Sequence, residues 1–214
     1  VPQLFADISM SLDGLVAGRD PSLDDPLGKG GEQLHEWALG TAAWREPHGL
    51  EGGEAGGDSE LIARTIARTG ATIMGRRMFS GGTGPWDDDP NADAWWGDNP
   101  PFHHPVFVLT HHQREPLVKE GGTTFAFVTD GIESALSEAR AAAGDLDVAV
   151  AGGADAIQQY IRAGLLDELH IHVAPVLLGD GRRLLEGLDP MPLDAAGAVD
   201  SPSGVAHLSY RFGT

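Results

Sequence analysis

The sequence predicts a single-domain α/β fold, in which a mixed, mostly parallel sheet carries helices on both faces and ends in an antiparallel hairpin. Three observations predict it. Short apolar runs alternate with segments of helical periodicity, as they do where strands are joined through crossover helices. The last two apolar runs instead flank Ser201-Pro202-Ser203-Gly204, turn chemistry that joins neighbouring antiparallel strands. The chain has 214 residues, enough for one domain with a sizeable core.

Residues 4–10 form the first apolar run, which stops at the turn pair Asp13-Gly14. Residues 59–68 place Leu61, Ile62, Thr65 and Ile66 on one side of a helix, and 71–74 follow as a short strand. Pro105 introduces a strand over 106–110, and 124–128 is the next. Within 131–143, Ile132, Ala135, Leu136 and Ala139 recur at i, i+3, i+4 and i+7, the spacing of a helix with one buried face. Residues 147–151 read as a strand, Gly152-Gly153 as a tight turn, and 154–163 as a helix burying Ile157, Tyr160 and Ile161. A strand over 168–174 comes next, and 193–199 with 205–212 make the hairpin.

Two stretches break the pattern. Residues 18–58 hold ten glycines, Trp37 and Trp44, with one helix predicted over 32–39; residues 80–104 hold Trp86, Trp95, Trp96 and the run Asp87-Asp88-Asp89. Long irregular loops serve as lids or binding loops, or are disordered. All five tryptophans lie in these two stretches. Leaving them in water is costly, so they are expected over a pocket, against a partner subunit, or in plain packing.

Composition narrows the function. With 14 basic and 32 acidic side chains the formal charge is −18, which argues against wrapping nucleic acid or lying on an anionic membrane. The absence of cysteine excludes disulfides, thiolate zinc sites and thiol catalysis. No apolar run is long enough to span a bilayer, and residues 1–8 lack the basic and apolar regions of a secretory signal, so a cytoplasmic protein is expected. His103-His104 and His111-His112 are adjacent pairs, whose members point to opposite faces of a strand, so no metal site is expected.

An anionic ligand must therefore find a local positive site in a negative field, and two segments offer one. In residues 147–155 a strand ends in Gly152-Gly153 and a helix starts at Ala154, which lets a phosphate approach the backbone at the positive end of the helix dipole. The segment lacks the GxGxxG fingerprint of the common dinucleotide fold. In residues 71–79 a buried strand ends in Gly75 and at once presents Arg76-Arg77, a fork that could hold a phosphate or pair with nearby acids. The other adjacent basic pair, Arg182-Arg183, also follows a glycine.

These segments, with Ser11-Leu-Asp-Gly14 near the start, Val106-Phe-Val-Leu-Thr110 in the middle and the run from Leu165 to Gly181 (LLDELHIHVAPVLLGDG), resemble the dihydrofolate reductase-like fold. The branch they resemble is the reductase domain of the riboflavin-pathway deaminase/reductase, over residues 3 to about 187. The resemblance implies a three-layer reductase that uses NADPH, bound across the carboxyl ends of the strands, on a small heterocyclic substrate, as a homodimer. It places the nicotinamide amide at the backbone near Ala17, with Ser9 also on the cofactor side. Phosphates fall to Gly75, Arg76 and Arg77, the adenosine 2′-phosphate to Thr110 and His111, and the pyrophosphate to Gly152, Gly153 and Ala154.

The same resemblance points to a substrate acid in the helix before Gly75. Asp58 is the nearest match, Glu60 a rival, and a plain helix cap the alternative reading of Asp58. His172 falls where folate reductases have a threonine supporting that acid. Asp7 is costly to bury without a partner and points toward the pocket, Asp13 contacts substrate or fixes its turn, and Trp37 stands on the substrate side. Two departures from the pattern are expected: no deaminase domain with its zinc motif is expected ahead of this domain, and 18–58 has no family counterpart. A nucleotide-binding protein without turnover is the competing expectation.

Overall fold

In the computed structural model of the chain, which describes residues 1–213, the elements follow in the order β1 (Leu4–Ser11), β2 (Leu15–Gly18), α1 (Glu36–Leu39), α2 (Ala42–Arg45), α3 (Gly57–Arg68), β3 (Thr69–Gly75) and α4 (Arg76–Ser80). The second half runs β4 (Pro105–Leu109), β5 (Leu117–Val118), β6 (Thr124–Val128), α5 (Ile132–Ala143), β7 (Asp147–Gly152), α6 (Ala154–Arg162), β8 (Glu168–Ala174), β9 (Gly181–Arg183), β10 (Leu193–Asp200) and β11 (Ala206–Phe212). Nine strands form one sheet in the order β10-β11-β8-β1-β7-β3-β4-β6-β5. Its centre is parallel, and β5, β10 and β11 are antiparallel.

The sheet is a mostly parallel, mixed one with layers on both faces, as the sequence predicts. Leu4, Ala6, Ile73, Val148, Val150, Leu169 and Ile171 pack with Leu136, Ala139, Ile157, Tyr160 and Ile161 of α5 and α6. The period of these helices supplies the apolar stripe, and the sheet face receives it. The Tyr160 hydroxyl, inside this core, donates to the Ile132 carbonyl at 2.8 Å and ties α6 to the start of α5. Across the sheet, α3 lies with Thr65 bonded to Asp7 and with the Arg68 guanidinium 4.4 Å over the Phe5 ring.

Chain order determines where a ligand can bind. From β1 the chain steps outward through β3, β4 and β6, returns through α5 to place β7 between β1 and β3, and crosses through α6 to β8 on the far side of β1. The carboxyl ends of β1, β7 and β3 thus meet where the strand order reverses, the place at which open α/β sheets form a crevice.

The two irregular stretches resolve differently. Residues 80–104 close a second core of Met74, Phe79, Val106, Val108 and Phe125, against which Trp86, Trp96 and Phe102 pack, while the Trp95 indole donates to the Met78 carbonyl. These tryptophans pack against the protein itself. The helix predicted over 32–39 is instead broken into a 3-10 turn, Gly31–Leu34, and α1. The break falls at His35, whose φ −113° and ψ −2° depart from helical geometry, between Gly30 at φ +80° and Gly40, which ends α1. A two-stranded ribbon of β2 and β9 escapes sequence reasoning, because strands of four and three residues carry no readable period.

Candidate functional site

The first half of the site is backbone. Met74 of β3 pairs with Gly152 of β7, which sets Gly75 beside the glycine turn: a Cβ on Gly75 would stand 3.7 Å from the Gly153 nitrogen. Gly152 holds φ +133°, a conformation side chains resist. Gly153 is exposed, and a Cβ built on it meets nothing within 4 Å. The nine-residue α6 therefore opens toward free space with the N–H groups and dipole that attract anions.

The positive side chain at this turn is Arg182. It pairs with Asp155 in the first turn of α6, both partly exposed, and sits opposite Ala17 in the β2–β9 ribbon. Gly181 makes that approach possible, since a Cβ there would collide with the Ala17 carbonyl and its φ is +148°. Arg182 was visible only as half of the second basic pair; about thirty residues separate it from the glycine turn, and the ribbon closes that gap.

The expected Arg76-Arg77 fork does not form. Arg76 is 7% exposed, its guanidinium bonds to Ser80 and to Asp89, and it lies 3.7 Å over the Trp86 ring, while Arg77 is exposed. Both residues begin α4, and successive helical side chains project about 100° apart, so they cannot converge on one ligand. Thr110 is buried and accepts a hydrogen bond from the His112 backbone at 3.1 Å. His111 is exposed and lines an open cleft of about 750 Å³ with Trp86, Gln113 and Arg114.

The second half of the site is polar and lies on the α3 face. Asp7, Ser9, Trp37, Asp58 and His172, five of the residues singled out in the sequence, are brought together there with one that was not, His207. His172 Nε2 is 2.7 Å from Asp7 Oδ1, His172 Nδ1 is 2.8 Å from His207 Nδ1, and His207 Nε2 is 3.2 Å from Asp58 Oδ1. Trp37 lies over both rings at 4.7 and 5.0 Å and donates its indole N–H to Ser9 Oγ. The hydroxyl of Ser9 is thus engaged on the Trp37 side and not at the glycine turn. His172 supports Asp7 directly and reaches Asp58 only through His207. His207 faces His172 through strand register alone, which no spacing in the sequence reveals.

Asp13 stands apart from this group. Its carboxylate accepts from the Ser11 hydroxyl and from the Leu178 and Gly179 backbone, so it fixes its own turn against the loop after β8. The Ser11 hydrogen bond foremost, then the Gly179 N–H, bring it down to about 2. His103 and His104 precede β4 and engage different partners, the Gly121 carbonyl and the Thr72 hydroxyl.

Burial alone would raise the Asp7 carboxyl; the charge and hydrogen bond of His172, joined by Thr65, outweigh it and hold the group below 3.8. Burial likewise opposes ionisation of Asp58, and the hydroxyls of Ser201 and Ser203 with His207 overcome it. For His207 burial dominates and lowers its affinity for a proton despite Asp58. Asp89, bonded by Ser80 and Arg76, and Glu168, bonded by Arg68, also lie below their ordinary values, against the effect of burial. A carboxylate depressed in the fold stabilises it above its unfolded value and loses that contribution as pH falls toward the folded one. Thermal melts are therefore expected to begin falling below the ordinary histidine value of 6.5, where burial keeps His35, His48, His104 and His207 neutral, and to drop most steeply below the ordinary carboxyl values of 3.8 and 4.5; an unchanged melting temperature at about pH 3 would contradict this set of shifts.

Comparison with known proteins bears on the fold. The RibD C-terminal domain family model matches residues 2–205. A Shewanella sp. PV-4 protein described as a riboflavin biosynthesis protein superposes with TM-score 0.64 at 20% identity, covering 99% of each chain. RibD of Acinetobacter baumannii superposes with TM-score 0.56 at 16% identity, covering 100% of this chain and 58% of that one. A Thermotoga maritima diaminohydroxyphosphoribosylaminopyrimidine deaminase/5-amino-6-(5-phosphoribosylamino)uracil reductase gives 0.55 at 13%, covering 99% and 57%. The chain spans somewhat over half the length of the latter two, and at these identities they establish the fold. No curated protein matches the sequence.

Proposed function

The chain belongs to the RibD C-terminal domain family, and from that premise we propose that it is a reductase that uses NADPH to reduce a small heterocycle, a pteridine or a riboflavin-pathway pyrimidine. The observation that carries the reading is the meeting of Gly75, Gly152 and Gly153 at the carboxyl ends of adjacent parallel strands, where α6 opens onto free space. These residues fit a dinucleotide: a pyrophosphate can reach the backbone because no Cβ stands in the way, and the helix N-terminus, beside which Asp155 holds Arg182, offsets its charge.

In this reading Gly75, Gly152, Gly153 and Ala154 hold the pyrophosphate, Ala17 the nicotinamide amide, and Thr110 with His111 the adenosine 2′-phosphate. Bound NADPH supplies a hydride to an electrophilic carbon. The protein orients that carbon and supplies a proton, and one strand, β1, separates the glycine turn on β7 from His172 on β8. Asp7, Asp58, His172 and Trp37 then serve the substrate side. Discrimination between NADPH and NADH no longer falls to Arg76, whose charge Asp89 neutralises.

We include a homodimer and a cytoplasmic location in the proposal. The almost wholly exposed edge strand β10 supports pairing of two copies. Among the described residues no helix is long and apolar enough to cross a membrane.

A thermal-shift assay with NADPH, NADH and NADP+, followed by a screen for NADPH oxidation on pteridine and pyrimidine substrates, tests the reading. At a hundredfold excess over Kd, NADPH is expected to stabilise the protein by about 2.7 kcal/mol. No shift with any nicotinamide overturns the reductase, and a shift without turnover leaves a nucleotide-binding protein.

A further inference from the structure

The four side chains Asp7 on β1, His172 on β8, His207 on β11 and Asp58 on α3 form one unbroken hydrogen-bonded chain. Each histidine turns its Nε2 to a carboxylate, and the two Nδ1 atoms face one another at 2.8 Å. Both carboxylates are ionised and accept only, so each Nε2 carries a proton. The Nδ1 to Nδ1 contact needs one proton as well, because two bare lone pairs repel at that distance and two N–H groups cannot share it. Four nitrogens therefore hold three protons, where two neutral imidazoles hold two. The pair bears a single positive charge between two carboxylates, with both rings at most 4% exposed.

Burial lowers the proton affinity of His207, and the Asp58 and Asp7 carboxylates oppose that effect. The Trp37 ring lies within 5.0 Å of both imidazoles, close enough for its π face to favour a cation and shield it from water. Of the other titratable groups around the pair, His35 from the turn before α1 is pushed down by burial and competes poorly for the proton. His170, next along β8, has its ring taken by Ser209 and Glu168. Asp7 is the more open end of the chain, its side chain 23% exposed against 15% for Asp58.

Resting on the reductase reading, we propose that the single proton shared by His172 and His207 is the proton delivered to the substrate, leaving through Asp7, and that His207 is the positioning residue that holds the supply. Reduction of a C=N or C=O bond consumes one hydride, from NADPH, and one proton. The His172 Nε2 proton passes to the Asp7 carboxylate and on to the substrate nitrogen or oxygen. His172 keeps its Nδ1–H toward His207, the pair falls from three protons to two, and a proton from water at Asp7 refills it. Asp58 keeps the Nε2–H tautomer of His207, so that its Nδ1 is free to accept.

The full chain labelled with 15N-histidine tests the shared proton without any ligand. Near neutral pH a 15N–15N coupling across the hydrogen bond is expected between Nδ1 of His172 and Nδ1 of His207, with both Nε2 atoms protonated. Absence of the coupling, or two neutral rings, overturns the shared proton. In His207→Leu, turnover is expected to fall by at least about tenfold, and the alkaline limb of its pH profile to move to lower pH, because the His172 imidazolium loses the acceptor of its second N–H. The thermal shift induced by NADPH should stay as in the wild type. His207→Asn, which restores an acceptor at that position, is expected to recover part of the rate and guards against a folding defect. Wild-type turnover and an unmoved pH profile in His207→Leu overturn the role. If instead NADPH neither binds nor is oxidised, the reductase reading falls and the delivery role with it, while the shared proton is decided by the spectrum alone.

Discussion

Arg76→Ala is expected to destabilise the protein by about 3–5 kcal/mol, the usual cost of removing one partner from a buried ion pair, and so to lower its melting temperature by roughly 6–20 °C. The Arg76 side chain is 7% exposed and that of Asp89 3%, so the substitution strands a carboxylate that also binds Ser80 and the Asn91 backbone. It also removes the cation from the face of Trp86 and loosens the 80–104 segment from the second core. Arg77→Ala, one residue on but exposed, should change stability by no more than about 0.5 kcal/mol. Denaturant titrations of the two variants decide the matter. Equal, small losses would mean that Arg76 is available for a ligand after all, whereas a folded Arg76→Ala protein should keep its NADPH-to-NADH preference.

Gly153→Val is expected to leave the fold intact and to weaken NADPH by roughly a hundredfold, about 3 kcal/mol. The two effects separate because of what surrounds the residue. Its backbone is extended, at φ −70° and ψ −171°, which valine adopts readily, and the added Cβ meets no protein atom within 4 Å. The branched side chain instead occupies the space in front of α6, where loss of one or two charge-assisted hydrogen bonds at about 1.5–3 kcal/mol each accounts for the size of the effect. Titration of NADPH by calorimetry, with a thermal melt of the free variant, measures both. Unaltered affinity in a normally folded variant would remove the glycine turn from the cofactor site.

Strands and long helices were legible because burial and periodicity are the same fact. Ile132, Ala135, Leu136 and Ala139 share a face in the sequence and bury it in α5, and Leu169 and Ile171 alternate with half-buried neighbours in β8 until the buried His172 breaks the pattern. Gly152-Gly153 was legible as a glycine pair between a strand and a helix, of which Gly152 holds φ +133°. The arginine pair misled, because adjacency in sequence is not convergence in space once both residues enter a helix. Trp37 was visible only as an aromatic in a glycine-rich loop, and its position over His172 depends on how Thr41, Ser59 and the short helices α1 and α2 fold that loop back.

The sequence by itself determined the fold class, the order of the central strands' elements and the glycine turn, since each follows from local pattern and backbone sterics. Tertiary structure alone decided which charges meet. Asp89 claims Arg76, the β2–β9 ribbon carries Arg182 to the glycine turn, and strand register sets His207 opposite His172. Local patterns act over a few residues, whereas a pair such as Asp7 with His172, or Asp58 with His207, meets only after strands remote in sequence have docked.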